Sequence, residues 1–317
     1  MTRSLLFMIG LIATSSVALG QAGGSSEAKA VVVVSVEPLA LVIRELCADA
    51  CEVMTLVPKG VSEHAWQPGP KDVMRAKKAK VAVAIGLGFD EAWFDKIGFD
   101  KRRVVWLGQR LDPQPWWSDH MLDPPSDHHN HHHKGLKTAL KDAEHDHNHK
   151  MLAKDPHVWV DAGRMSMAVL EVGTHLDQAM PTQASLFQSR SRTLAERFLK
   201  LQQQVEQRRK GWKTRPVVMF HDVAGYFGRR FNLPVLSVLA GGGGHDLSAK
   251  MIADIARRFS KASVAAILVE RDDGAAKSLA RELKTQVKIV DFGATKSYAT
   301  WDEWYLHVAS SWEDVLK

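Results

Sequence analysis

Ala30-Val-Val-Val-Val-Ser-Val36, followed at once by Pro38 and then by Leu39, Val42, Ile43 and Leu46, decides the fold class. An unbroken β-branched run predicts a strand buried on both faces, as in a parallel sheet. The four apolar residues after Pro38 recur at helical spacing, and a proline in the first turn sacrifices no hydrogen bond, so Pro38 opens a helix. Working outward, the same alternation continues through strands at 51–57, 81–85 and 104–107 and helices at 72–79 and 89–97. Two helices follow at 165–180 and 182–211, the second a rod of ~45 Å at 1.5 Å per residue. A second alternation places strands at 217–220, 235–238, 264–269 and 287–291, with helices between them and a last helix from Trp301. The pattern predicts an α/β protein in which two Rossmann-like lobes with parallel sheets are joined by a single long rigid helix. The expected divisions are an N-terminal lobe at 30–162, a helical region at 163–212 and a C-terminal lobe at 213–317. The halves match in pattern only, without a sequence repeat.

The chain has 317 residues, 45% hydrophobic and 25% charged, which supports a large core and excludes intrinsic disorder. Its net charge of +6 brings an anionic partner into consideration. The basic runs Lys71 to Lys80, Lys101 to Arg103 and Arg208 to Lys210 are short, however, and fit solvated faces or a protein docking surface. No nucleic-acid partner is expected. At the N-terminus, Arg3, the apolar stretch Leu5 to Leu19 and the small residues Ala18 and Gly20 predict a signal peptide over residues 1–20, cleaved after Gly20. That stretch is shorter than the ~20 residues of a membrane span, so membrane insertion is not expected. Two cysteines exclude a four-thiolate metal site. In an oxidising compartment the expected state of Cys47 and Cys51 is a disulfide, with a loop-entropy gain of ~2 kcal/mol, and a soft-metal site is the alternative.

Histidine is the unusual residue. Nine of the 15 crowd between Asp119 and Lys150, in a segment with acidic neighbours and few apolar residues. This reads as a surface loop that chelates metal weakly, or as a spacer that does so incidentally. Three of the other six share a setting. His64 lies in Ser62-Glu-His-Ala-Trp66 after a strand, His157 in Asp155-Pro-His-Val-Trp159, and His221 directly after the strand 217–220. Ligands of open α/β sheets collect beyond the carboxyl ends of strands, and neutral imidazoles suit Zn²⁺. A site between the lobes can therefore use all three, with Glu63 the adjacent carboxylate. His175, His245 and His307 lack that setting and are expected to be structural.

Pro58-Lys-Gly-Val-Ser-Glu-His-Ala-Trp-Gln-Pro-Gly-Pro70, Asp155-Pro-His-Val-Trp159 and Phe220-His-Asp-Val-Ala-Gly-Tyr-Phe227, in that order, resemble the metal-binding solute-binding proteins of ABC importers, and zinc members most. The resemblance implies a periplasmic, monomeric protein that holds one zinc ion in the interlobe cleft and delivers it to a membrane permease. It implies that His64, His157 and His221 are ligands. Glu63, Asp291 and water remain open for the fourth position. Manganese members tend to carry a glutamate at the place of His221, which favours zinc as the transported ion. The His-rich insertion also fits zinc members, whereas a cysteine pair in the first lobe departs from those with a second-lobe disulfide. Two rivals remain: a manganese-binding member of the same family, and a zinc hydrolase with Glu63 as base.

Overall fold

The computed structural model describes residues 29–63, 65–115, 154–237 and 248–317. The signal-peptide expectation, His64, the His-rich segment 119–150 and His245 fall outside those residues.

The valine run forms β1 (Ala30–Val34), in which Val32, Val33 and Val34 have no exposed surface. It pairs in parallel with β2 (Cys51–Thr55) and β3 (Val81–Ala84), and β4 (Val104–Trp106) completes the sheet in the order β2-β1-β3-β4. Helices α1 (Glu37–Cys47), α2 (Pro70–Ala76) and α3 (Glu91–Ile97) connect these strands. Proline sits in the first turn of both α1 and α2, where its missing N–H leaves no broken bond. Glu37, the first residue of α1, accepts hydrogen bonds from Arg44 at 2.7 Å and from the Thr55 hydroxyl at 2.9 Å, and pairs with Lys59 at 3.2 Å. The corner after β1 is thereby tied to the loop after β2.

Next come α4 (Ala162–Ala179) and α5 (Ala184–Arg209), separated by a 3₁₀ turn at Pro181–Gln183. The 26 residues of α5 span about 39 Å, so the expected long connecting helix is present, shortened at both ends. α4 packs along it, and at Gly173 the two are so close that a Cβ would lie 2.8 Å from the Ser191 Cβ. The second sheet has β5 (Val217–Met219), β6 (Val235–Ser237), β7 (Ala266–Val269) and β8 (Gln286–Ile289), all parallel, in the order β6-β5-β7-β8. This repeats the permutation of the first sheet. Its helices are α6 (Gly225–Arg230), α7 (Ala249–Phe259), α8 (Gly274–Leu283) and the terminal α9 (Trp301–Leu316).

The larger of two apolar clusters among the described residues runs continuously from β1 through the helices to the second sheet, and the smaller joins that sheet to its own helices through Ile267, Phe259 and Leu279. In α9, Trp301, Trp304, Tyr305 and Trp312 are fully buried. Trp301 contacts Phe198 of α5 with ring centroids 4.7 Å apart, and Trp312 stacks on Phe227 of α6 at 5.3 Å. Two polar clusters pin the lobes beside this core. Asp161, 1% exposed and the N-cap of α4, accepts from the Arg164 backbone N–H at 2.9 Å, from its guanidinium at 3.1 Å, and from Arg230 of α6 at 3.0 Å. Glu45 of α1 receives the Trp301 N–H at 3.2 Å and pairs with Arg197, which also holds Asp302 at 2.9 Å.

The cysteines depart from expectation. Cys47, at the end of α1, and Cys51, at the start of β2, are buried free thiols. There Cys51 Sγ lies 3.9 Å from the Met180 sulfur. Among the described residues no helix is long and apolar enough to cross a membrane.

Candidate metal centre

In both sheets the chain order reverses beside the first strand, so β1 and β5 border crevices that open at the carboxyl ends of the strands. Three donors converge there. Glu63 comes from the loop after β2, His157 from the segment entering α4, and His221 from two residues beyond β5. One ligand atom from each lies within 4.8 Å of the other two. The rings of His157 and His221 meet edge to face, with centroids 4.9 Å apart. His64, next in sequence to Glu63, is outside the described residues.

Local structure explains how each group is held. Asp155, fully buried, accepts from the His157 backbone N–H at 2.9 Å and faces the ring Nδ1 at 2.8 Å. In the second lobe, His221 Nδ1 lies 2.7 Å from the Glu270 carboxylate, just beyond β7. An ionised carboxylate only accepts, so beside each of these the neutral form of the imidazole keeps its proton on Nδ1 and leaves the Nε2 lone pair for a cation. Tyr226 of α6 reinforces the first arrangement. Its hydroxyl donates to the Asp155 carbonyl at 2.8 Å and accepts the Gln114 N–H at 3.0 Å. Trp159 packs on the His157 ring at 5.1 Å and on Phe89 at 5.9 Å. Trp66 meets Trp93 edge-on at 5.0 Å and so anchors the loop that carries Glu63.

Burial and mutual charge shift each of the converging groups. Burial pushes the Glu63 carboxyl up, and the Glu270 charge adds to it, while His221 opposes both. Burial drives the His157 imidazole well below its usual value, and His221 lowers it further. Burial would also lower His221, but Glu270, Glu63 and Asp222 outweigh it and raise the group to about 9. Burial raises Asp155 to about 7 against its bond to His157. The centre thus gathers acidic oxygens around imidazoles with little water to screen them.

Asp291, the rival fourth ligand, does not join the converging group. Its carboxylate receives the Thr295 and Lys296 N–H groups at 2.7 and 2.9 Å and the Tyr298 hydroxyl at 3.0 Å, bracing the turn into α9. His175 bonds the Glu171 carbonyl at 2.9 Å, and His307 lies against Tyr298, so both have local roles. Sequence reading overlooked Glu270 altogether and gave Asp155 no role. A signal for Glu270 exists, since it follows its strand as His221 follows β5.

The comparisons agree with this architecture. The zinc-binding protein AdcA of Streptococcus pyogenes serotype M3 is 24% identical over 273 residues, which are 84% of this chain and 50% of AdcA. The chain therefore spans about half the length of that relative. The high-affinity zinc uptake system protein ZnuA of Yersinia pestis is 22% identical over 66% of this chain and 65% of its own. A crystal structure of ZnuA superimposes with a TM-score of 0.70 at 17% identity, over 90% of this chain and 98% of that one, which shows the shared fold. The family model described as zinc-uptake complex component A, periplasmic (ZnuA), matches residues 32–314, and with a match of that extent the chain belongs to the ZnuA family.

Proposed function

We propose that this protein binds Zn²⁺ as cargo between its lobes, outside the cytoplasmic membrane, and hands it to the permease of an ABC importer. The convergence of Glu63, His157 and His221 within 4.8 Å carries the reading. Two imidazoles and a carboxylate are a zinc donor set, and His64, the residue that follows Glu63 in the sequence, is the further ligand in this reading. The fully buried His157 is presented by a rigid carboxylate contact, whereas Glu63 and His221 are half-buried at the cleft, so cargo enters from the open side. The continuous core and the two polar pins support binding between lobes that keep their relative position.

Native mass spectrometry of the metal-stripped protein, titrated with Zn²⁺ and with Mn²⁺, tests the proposal. One tight zinc, retained when residues 119–150 are deleted and lost by more than about 100-fold in affinity on His157→Ala, is the expected result. Preference for manganese, or survival of tight binding in His157→Ala, refutes it. Turnover of ester or phosphate substrates by the zinc-loaded protein would instead support a hydrolase with Glu63 as base.

A further inference from the structure

Glu270 stands one residue past β7, and its partner His221 stands two residues past β5. Strand register brings them together. β5 and β7 pair Val217 with Ala266, Val218 with Ile267 and Met219 with Leu268, and continuing that register by two residues sets His221 beside Glu270. The contact of 2.7 Å to Nδ1 is where the register leads. In the first lobe Asp155 meets His157 Nδ1 at 2.8 Å, so one carboxylate from each lobe grips one imidazole by the same ring nitrogen.

Resting on the zinc reading above, we infer that Glu270 is a positioning residue: it accepts the Nδ1–H of His221 and fixes the ring with Nε2 toward the cargo ion. The directions of the two ring nitrogens diverge, so a carboxylate seated on Nδ1 lies away from the metal that Nε2 would bind. Glu270 is accordingly absent from the three donors that converge. Outer carboxylates of this kind orient the ligand, fix its tautomer and raise its basicity, and their loss costs 10–100-fold in metal affinity. The two lobes differ in one respect. Asp155 is fully buried, whereas the Glu270 side chain is 34% exposed, so the second-lobe imidazole has the more solvent-accessible support. Loss of Glu270 therefore shows mainly as faster zinc release.

The test compares Glu270→Ala and Glu270→Gln with His221→Ala in the full chain. Zinc affinity is measured by chelator competition, release by stopped flow, and ligand geometry by the visible absorption of Co²⁺-loaded protein. Glu270→Ala should weaken zinc 10–100-fold and alter the Co²⁺ spectrum. Glu270→Gln, whose amide oxygen accepts the same Nδ1–H, should recover most of the affinity and the native spectrum. The inference is overturned if Glu270→Ala binds like the parent, or if Gln is as damaging as Ala, which would make charge the operative property. Should His221→Ala bind zinc as tightly as the parent, the cleft reading itself fails, a result distinct from either Glu270 outcome. Melting temperatures of the stripped variants separate these effects from misfolding, and Glu270→Gln, which preserves shape, remains informative if Glu270→Ala is unstable.

Discussion

Asp161→Asn should weaken the whole molecule without touching the metal donors. The carboxylate is 1% exposed and receives four hydrogen bonds, one from the Arg164 backbone and three from the guanidinium groups of Arg164 and Arg230. Asparagine keeps an oxygen for the N-cap bond of α4, so the helix-capping part survives. What is lost is the negative charge between two guanidinium groups, Arg164 10% exposed and Arg230 31% exposed. Breaking a buried pair by removing one partner costs about 3–5 kcal/mol, and retained capping together with the partial exposure of Arg230 places this case near the lower end. At about 2–4 °C per kcal/mol, the zinc-free protein should melt about 6–12 °C lower by scanning calorimetry. Arg257→Ala, which breaks the exposed pair with Asp254, serves as the control and should shift the transition by less than about 2 °C. Zinc at a thousandfold excess over its dissociation constant adds about 4 kcal/mol to either protein if the site is intact. A stripped Asp161→Asn protein that melts like the parent would refute the view that this cluster pins the lobes.

Other substitutions separate scaffold from site. Gly173→Ala should cost about 1–3 kcal/mol by forcing α4 away from Ser191, read from thermal melts of the stripped protein. Asp291→Asn should lower the melting temperature because it weakens the brace formed with Thr295, Lys296 and Tyr298, yet leave zinc affinity unchanged in the same competition assay. A large affinity loss there would restore Asp291 as a ligand candidate.

The order of elements, and the candidacy of Glu63, His157 and His221, follow from the residue string alone. Burial on both faces of a parallel strand leaves a continuous apolar run, and helix packing leaves a 3.6-residue period, so Ala30 to Val34 and the helix after it were legible from neighbouring residues. His157 and His221 were legible too, because a histidine beside a strand end or before a helix occupies a place where ligands collect. Asp155 reaches His157 from two residues away, but which acid serves His221 depended on strands meeting in the folded chain. Glu270 is 49 residues from His221, and no local pattern encodes the β5–β7 register that joins them. Asp291 looked as available as Glu63 until the turn into α9 folded back onto its carboxylate. The pins across the cleft span 69 residues from Asp161 to Arg230 and 256 from Glu45 to Trp301. Periodicity records what each residue faces; register and the pairing of buried charges depend on chain segments meeting only after the core has formed.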